Sequence, residues 1–302
     1  MLQSIASVVV GKDEAIEQTL VAVLAGGHLL VEDVPGVGKT TLARALARSI
    51  GGSFSRIQCT PDLLPSDVTG VHVLDQRQGT FVFQPGPIFA NVVLADELNR
   101  ATPRTQAALL EAMEERQVTL EGTTRPLPSP FLVIATQNPI ELEGTFPLPE
   151  AQLDRFLLRL RIGYPSERDE QELIDRFARA APLDDVHPVM DLQRLTALIR
   201  SVRDIRVEPS IRNYVVALVR ATREHSAVRL GASPRATLAL FHAAQAFAAI
   251  KGRTFVVPDD VKALAAPVLG HRLLLTSQAR LRGRSELTIL DEVVAATPVP
   301  VE

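Results

Sequence analysis

The chain has 302 residues, of which 46% are hydrophobic and 22% are charged. This composition is typical of a folded globular protein and excludes an intrinsically disordered chain or a low-complexity fibre. The formal net charge of -3 argues against a surface devoted to nucleic acid, and the length is typical of about two domains.

The first half of the chain alternates short apolar runs with amphipathic segments, which is typical of a parallel sheet with crossover helices. Helices are predicted to begin near Asp13, at Lys39 and at Thr102. Strands are predicted at residues 28–32, 54–59, 92–95, 131–135 and 157–162.

The pattern changes after Gly163, where turn-forming residues precede a capping box formed by Ser166 and Asp169. From there the chain is predicted to be helical, at residues 167–179, 191–203, 209–223, 234–250 and 259–269. We therefore expect an α/β domain over residues 1–163 and a helical domain over residues 164–302.

Cys59 is the only cysteine, which excludes an intramolecular disulfide and a cysteine-based zinc site. The most apolar stretch, residues 19–31, is shorter than the roughly 20 residues of a spanning helix. The N-terminus has no basic segment before its short apolar run, which argues against a secretory signal. We expect a cytoplasmic protein without a membrane span.

The segment DVPGVGKTT, residues 33–41, joins the first predicted strand to the helix at Lys39. A glycine-rich turn that leads into a helix presents backbone N–H groups and the positive end of the helix dipole to phosphates. The usual pattern begins with glycine, where this chain has Asp33, and a plain strand-to-helix turn is the alternative. The predicted nucleotide-binding residues of this loop are Pro35, Gly36, Val37, Gly38, Lys39, Thr40 and Thr41, with Thr40 also predicted to bind Mg²⁺.

A phosphate-binding loop requires a second strand that ends in carboxylates, and residues 92–97, VVLADE, meet this requirement. Asp96 is predicted to hold Mg²⁺, directly or through water, and Glu97 to polarise the water that attacks the γ-phosphate. Taken alone, the same letters describe a strand that runs into a capped helix. The phosphate loop upstream favours the catalytic interpretation.

A third apolar strand, residues 131–135, is followed by Thr136-Gln137-Asn138-Pro139. At the carboxyl end of a strand beside the acidic one, Asn138 could orient the attacking water or contact the γ-phosphate. The alternative is a turn residue before Pro139.

With these motifs in this order, the chain resembles the AAA+ ATPases and, within them, the MoxR family. The resemblance covers nearly the whole chain and is most specific at residues 32–47, 94–120, 134–160 and 231–236. It implies a P-loop αβα core in three layers with a parallel sheet, followed by an all-α lid, and it implies ATP and Mg²⁺ as ligands. In that family an aspartate is familiar at the loop position of Asp33.

The resemblance also implies roles that the residues alone leave open. It makes Asn138 the sensor 1 residue, Arg155 an arginine finger that reaches a neighbouring subunit's site, and Arg235 the sensor 2 residue. Without it, Arg155 is one of several arginines near a helix end and Arg235 an exposed first-turn arginine. Val10 and Gly11 resemble the adenine-side segment of the family, for which a plain loop is the alternative.

Two predicted hairpins resemble insertions of the same family. One spans residues 73–83 around Gln78-Gly79, and the other spans residues 117–127 around Glu121-Gly122. The resemblance implies that both project toward the central pore of a ring. The alternative is that they only decorate the surface.

The resemblance implies a Mg²⁺-dependent ATPase that forms a homo-oligomeric ring, a hexamer, and remodels protein clients, among them a von Willebrand A domain protein. A nucleic-acid motor and a nucleotide-gated scaffold with little turnover stay open as alternatives. The acidic hairpin turn at Glu121 weighs against the motor, and Asp96, Glu97 and Arg155 weigh against the scaffold. We expect no nucleic-acid partner and no metal other than Mg²⁺, because the histidines form no ligand spacing.

Overall fold

The computed structural model describes residues 1–77, 79–139, 144–178 and 182–300. The chain divides into two compact units. The first contains Met1–Ile16, His28–Leu148 and Arg161–Thr196, and the second contains Glu17–Gly27, Pro149–Leu160 and Ala197–Glu302. Both units are discontinuous in sequence, unlike the division at residue 163, which stays a prediction.

The strands of the described residues are, in chain order, β1 (Leu29–Glu32), β2 (Phe54–Gln58), β3 (Gly70–Asp75), β4 (Thr80–Pro85), β5 (Val92–Asp96), β6 (Gln117–Leu120), β7 (Thr123–Pro126), β8 (Leu132–Gln137), β9 (Leu158–Leu160), β10 (Val228–Leu230) and β11 (Leu274–Leu275). The helices are α1 (Leu2–Ala6), α2 (Asp13–Ala25), α3 (Lys39–Ser49), α4 (Pro65–Thr69), α5 (Pro103–Glu115), α6 (Glu150–Leu153), α7 (Glu167–Phe177), α8 (Leu192–Val202), α9 (Pro209–Glu224), α10 (Pro234–Ile250), α11 (Pro258–Leu269), α12 (Ser277–Leu281) and α13 (Glu286–Ala296). Short 3-10 turns lie at Leu98–Arg100, Pro182–Asp185 and Gly270–Arg272.

The first unit contains four neighbouring strands of a sheet, in the order β2-β5-β8-β1. All three pairings are parallel, and Ala95 of β5 lies opposite Ile57 of β2 and Ala135 of β8. Strands β5 and β8 are apolar and buried almost throughout, as expected for central strands of a parallel sheet. The predicted parallel sheet is confirmed, and the residues that follow β5 and β8 emerge at the same edge.

A buried histidine joins the sheet to α5. The Nδ1 atom of His28 accepts a hydrogen bond from the N–H of Val133 at 3.0 Å. Burial, aided by the charge of Arg116, lowers the pKa of His28 to about 4, so the ring is neutral at pH 7. Nε2 therefore carries the proton and donates to the carbonyl oxygen of Met113 at 3.1 Å.

Both predicted hairpins are confirmed as hairpins of the first unit. Strands β3 and β4 pair antiparallel, and so do β6 and β7; Gln78 of the first predicted turn lies outside the described residues. The two hairpins contact each other. His72 Nδ1 lies 3.2 Å from Glu121 Oε2, and the guanidinium of Arg125 lies 4.1 Å from the centre of the Phe83 ring.

The second unit is mainly helical, with α9, α10, α11 and α13 packed around an apolar core. Helix α10 begins as predicted, with Ser233 at the N-cap accepting from the N–H of Ala236 and Pro234 in the first turn. The unit also holds a small antiparallel pair, β10 and β11, and the helices α12 and α13, which sequence patterns did not predict.

One predicted helix is shorter than expected, and no membrane-spanning helix was expected. The helix predicted over residues 167–179 ends at Phe177, and Arg179 lies outside the described residues, as do the last two residues of the chain. Within the part of the chain that the structure describes, no helix is long and apolar enough to cross a membrane.

Candidate nucleotide-binding site

A cavity of about 390 Å³ lies in the first unit at the carboxyl ends of the strands. This is the edge at which open α/β sheets bind ligands. The cavity brings together most of the residues predicted from the phosphate loop, the acidic strand and the polar strand end. Its lining consists of Pro35, Gly36, Gly38, Lys39, Thr40, Thr41, Arg56, Asp96, Glu97, Thr136 and Asn138.

The loop between β1 and α3 depends on two glycines with left-handed backbones. Gly36 has φ of 87° and Gly38 has φ of 92°, and a Cβ at either position would meet no atom within 4 Å. The requirement is therefore conformational rather than steric. Helix α3 begins directly afterwards at Lys39, so its first-turn N–H groups and positive dipole end are available to an anion in the cavity.

Lys39 lies folded against its own loop. Its Nζ donates to the carbonyl oxygens of Asp33 at 2.7 Å and Val34 at 3.1 Å. Partial burial lowers the pKa of Lys39, and the carboxylates of Asp33, Asp96 and Glu97 oppose this shift. Lys39 also lines the cavity, beside the glycines of the loop.

Asp33, which departs from the usual glycine, has a defined structural role. Its Oδ1 accepts from the N–H of Val34 at 2.8 Å, and its Oδ2 accepts from the N–H groups of Ile162 at 2.7 Å and Gly163 at 2.6 Å. The residue is 8% exposed. Asp33 therefore joins the start of the phosphate loop to the segment before α7, a function that glycine could not provide.

The acidic strand ends in a hydrogen-bonded triad. The hydroxyl of Thr136, a buried residue in β8, donates to Asp96 Oδ1 at 2.6 Å and accepts from the backbone N–H of Glu97 at 2.8 Å. Glu97 itself has a left-handed backbone, with φ of 57° and ψ of 48°. A non-glycine residue rarely adopts this conformation, and such outliers concentrate at functional sites.

Polar residues that sequence reasoning missed hold the two carboxylates. Arg56 of β2 donates to Asp96 Oδ2 from Nε at 3.1 Å and from Nη2 at 2.5 Å. Gln58 Nε2 donates to Glu97 Oε2 at 3.1 Å, and Arg100 Nη1 donates to the same oxygen at 3.0 Å. The one available signal was the alternation in β2, which puts Arg56 and Gln58 on one face and buried Ile57 on the other.

The oxygen atoms of this cavity suit Mg²⁺. Thr40 and Asp96 offer a hydroxyl and a carboxylate, which are hard ligands, and both line the cavity. Among the described residues, no group of three or more His, Cys, Asp and Glu side chains could hold a metal. This donor set fits an ion that uses few protein ligands together with water and substrate phosphates.

Three predicted nucleotide-binding residues do not line the cavity. Val37 belongs to the loop itself, whereas Val10 and Gly11 precede α2. Gly11 has φ of 67°, and a Cβ there would lie 2.2 Å from Cγ of Asp169 in α7. Close packing against Asp169 therefore explains why this position is a glycine. Contact of Val10 and Gly11 with adenine stays a prediction.

Arg155 and Arg235 belong to the second unit, and their roles stay predictions. A hydrogen bond within that unit connects the segments that carry them. Ser233, the N-cap of α10, donates from Oγ to Asp154 Oδ2 at 2.7 Å. Asp154 also accepts from Nε of buried Arg272 at 2.7 Å.

Two family models match this chain, and the first of them covers most of the residues of the cavity. The model described as "ATPase family associated with various cellular activities (AAA)" matches residues 28–158, and the model of the AAA lid domain matches residues 220–293. Fold, cavity and these matches place the chain in the AAA class of ATPase-type, nucleotide-binding proteins.

Similarity over whole chains identifies the family within that class. The chain is 50% identical to YeaC of Bacillus subtilis (strain 168) over 301 residues, covering 100% of this chain and 94% of that protein. It is 43% identical to the chaperone MoxR1 of Mycobacterium tuberculosis (strain ATCC 25618 / H37Rv), covering 97% of this chain and 80% of that protein. A crystal structure of a protein from Cytophaga hutchinsonii ATCC 33406, described as an ATPase, superposes with a TM-score of 0.93 at 38% identity, covering 99% and 93% of the two chains. The chain belongs to the MoxR family of AAA+ ATPases.

Proposed function

We propose that the protein is a Mg²⁺-dependent ATPase that assembles as a ring and remodels partner proteins. One observation carries the proposal: a single cavity is lined by the phosphate loop, by both carboxylates of the acidic strand and by Asn138. Phosphoryl transfer depends on positioning and on electrostatic stabilisation, and these groups supply both.

Each side chain of the cavity has a distinct task in this proposal. Lys39 and the N–H groups at the start of α3 bind the β- and γ-phosphates. Glu97 accepts a proton from the attacking water, and Asn138 orients that water. Thr40 and Asp96 would hold Mg²⁺, which would supply positive charge next to the phosphates.

Release of phosphate from ATP by the purified protein tests the enzymatic proposal. We expect turnover that requires Mg²⁺ and that Lys39→Ala lowers together with nucleotide affinity. Lys262→Ala is the matched control, because Lys262 forms a surface ion pair with Asp259 at 3.1 Å. Turnover that is insensitive to Lys39→Ala would contradict the assignment.

We further propose that the ring is a hexamer in which Arg155 completes the site of a neighbouring subunit. Head-to-tail contacts of one kind close into a ring, so each subunit can lend the same residue to the next. Arg155→Ala and Glu97→Gln should each be inactive alone. When they are mixed, roughly a quarter of the interfaces would pair an intact Glu97 with an intact Arg155.

Partial recovery of ATPase activity in the mixture would therefore support action between subunits. If Arg155 acts within its own subunit, the mixture should recover no ATPase activity. Light scattering of the protein with ATP gives the subunit number independently.

We propose that protein clients, including a von Willebrand A domain partner, bind at the β3–β4 hairpin. Its outer residues are apolar and exposed, with Phe81 at 71%, Leu74 at 49% and Val82 at 49%. Exposed apolar patches commonly mark interaction sites. Capture of clients by Glu97→Gln protein with bound ATP should be lost with Phe81→Ser and retained with Leu281→Ser, which changes an exposed residue of the second unit.

We place the protein in the cytoplasm. We do not expect nucleic acid to be its partner. The turn of the β6–β7 hairpin carries Glu121, an acidic residue paired with His72, where phosphate binding would favour a basic one. A fluorescence titration with DNA at physiological salt should show only weak binding. Submicromolar affinity, or stimulation of the ATPase by DNA, would favour a nucleic-acid motor instead.

A further inference from the structure

Arg56 is a cation of the candidate site to which the proposed reaction assigns no role. Its Nε and Nη2 atoms both donate to the same oxygen of Asp96, Oδ2, and Nη2 also donates to Gln58 Oε1 at 2.8 Å. The side chain lines the cavity and is 45% exposed, whereas that of Asp96 is 14% exposed. The ion pair is therefore open to the cavity on the arginine side.

The two oxygens of Asp96 differ in what they can still bind. Oδ1 accepts the hydroxyl of Thr136, which is fixed because Thr136 is buried and also accepts from the N–H of Glu97. Oδ2 faces the guanidinium of Arg56. A carboxylate offers about four lone-pair positions, so a second cation at Oδ2 would compete with Arg56 for acceptor capacity and for charge.

We propose that Arg56 is a built-in counter-cation of Asp96, paired with it in the metal-free protein and released from it when Mg²⁺ is bound. The inference rests on the proposed function and adds Arg56 to the residues of the proposed site. Arg100 pairs with Glu97, whereas the guanidinium that contacts Asp96 Oδ2 is that of Arg56. By pairing with Asp96, Arg56 offsets the repulsion between this carboxylate and the phosphates of a nucleotide, and it also competes with the metal for the same oxygen.

A structural role alone would give Arg56 a different environment. A buried arginine is surrounded by acceptors for all its donors, and its loss leaves buried groups unpaired. Arg56 is instead half exposed, and removing it leaves Asp96 bound to Thr136 and open to the cavity. We therefore expect Arg56→Gln to fold and to change the metal dependence of nucleotide binding.

The test measures the affinity for a fluorescent ATP analogue in EDTA and in saturating Mg²⁺, without reference to turnover. The ratio of the two affinities is the contribution of the metal. Arg56→Gln should raise this ratio by about threefold to tenfold, because metal-free binding weakens and the metal no longer competes with the guanidinium. Arg56→Lys, which keeps the charge, should raise it less.

The matched control is Arg48→Gln in the same unit. Arg48 pairs with Asp184 at 3.0 Å on the surface and does not line the cavity, so its loss should leave the ratio unchanged. In an Asp96→Asn background, Arg56→Gln should no longer weaken metal-free binding, because the partner carboxylate is gone.

An Arg56→Gln ratio within twofold of the unmodified protein, or a lower one, would overturn the inference. So would equal weakening of metal-free binding in both backgrounds, which would mean direct contact with the nucleotide. Absence of any nucleotide binding by the unmodified protein would instead overturn the proposed function itself.

Discussion

The two units each contain an arginine–aspartate pair, and the pairs differ in almost every physical respect. In the first unit, Arg56 and Asp96 have side chains that are 45% and 14% exposed. In the second, the side chain of Arg272 is 2% exposed and that of Asp154 is 20% exposed. Arg272 also donates to the carbonyl oxygens of Phe156 at 2.6 Å and Leu157 at 3.2 Å.

This difference makes Arg56–Asp96 an exchangeable pair, in which the arginine can be replaced as the partner of the carboxylate, and Arg272–Asp154 a permanent pair. Burial lowers the pKa of Arg272, and the Asp154 carboxylate opposes that shift, so Asp154 stabilises the buried guanidinium. Water or a ligand can replace Arg56 at the cavity, whereas nothing can replace Arg272. The first arrangement is suited to a reaction site, and the second to fixing the segment next to Arg155 against the start of α10.

The largest effect is expected on catalysis, in the cavity that contains the exchangeable pair. Glu97→Gln keeps the shape of the side chain but removes the charge that activates water, so kcat should fall by about 10²–10⁴-fold. Nucleotide affinity should change little, because the phosphate loop is intact. Phosphate release and analogue binding measure the two quantities. Unmodified turnover in Glu97→Gln would remove the reason to regard this cluster as catalytic.

The permanent pair should dominate stability. Arg272→Met removes a donor from Asp154 Oδ1 and from the carbonyl oxygens of Phe156 and Leu157, and should lower the free energy of unfolding by about 3–5 kcal/mol. Urea denaturation followed by circular dichroism measures this loss. A loss of less than about 1 kcal/mol would place Arg272 in the same category as Arg56.

Both units also contain a buried neutral histidine, which predicts acid sensitivity. The pKa of His28 is lowered to about 4 and that of His271 is lowered well below its ordinary value, in both cases mainly by burial. The unfolded chain binds protons near pH 6.5, so stability is complete above that pH and is lost as pH falls toward 4. For His28 the loss should reach about 3 kcal/mol.

Unfolding free energies measured at pH 7.5 and pH 5 test this expectation. His28→Gln, which retains an acceptor and a donor without a titrating ring, should reduce the difference between the two pH values. His187→Gln changes an exposed histidine and should leave the difference unaltered. Equal pH dependence in both variants would exclude His28 as a source of the acid sensitivity.

Asp33 is an intermediate case, because it is a buried carboxylate that accepts from three backbone N–H groups. Asp33→Ala leaves the N–H groups of Ile162 and Gly163 without this acceptor and should cost about 1–3 kcal/mol. Analogue binding should weaken as well, since the loop loses its attachment. A stability indistinguishable from that of the unmodified protein would mean that water replaces the carboxylate.

The smallest effect on stability is expected for Arg56→Gln, below about 1 kcal/mol, because the guanidinium is nearly half exposed. The same urea experiment as for Arg272→Met measures it. A loss comparable to that of Arg272→Met would show that Arg56 is structural and would remove the contrast between the two pairs.

The sequence by itself determined the features that depend on neighbouring residues. The left-handed glycines of the phosphate loop, the start of α3 at Lys39 and the cap of α10 at Ser233 are local, because turn and capping chemistry acts within a few positions. The apolar runs of β5 and β8 likewise predicted buried strands. The motif order then placed Lys39, Asp96, Glu97 and Asn138 at one edge of a parallel sheet, where the cavity brings them together.

Only the tertiary structure decided which distant polar groups meet. Arg56 reaches Asp96 across 40 residues and Arg272 reaches Asp154 across 118, and both contacts depend on strand order or helix packing rather than on local pattern. Thr136 joins the two acidic residues because β8 is the neighbour of β5. The sequence predicted that the strand before Asn138 lies beside the acidic strand, but it did not predict which side chains reach the two carboxylates. Arg56, Gln58 and Thr136 could be identified as their partners only once the strands were placed side by side.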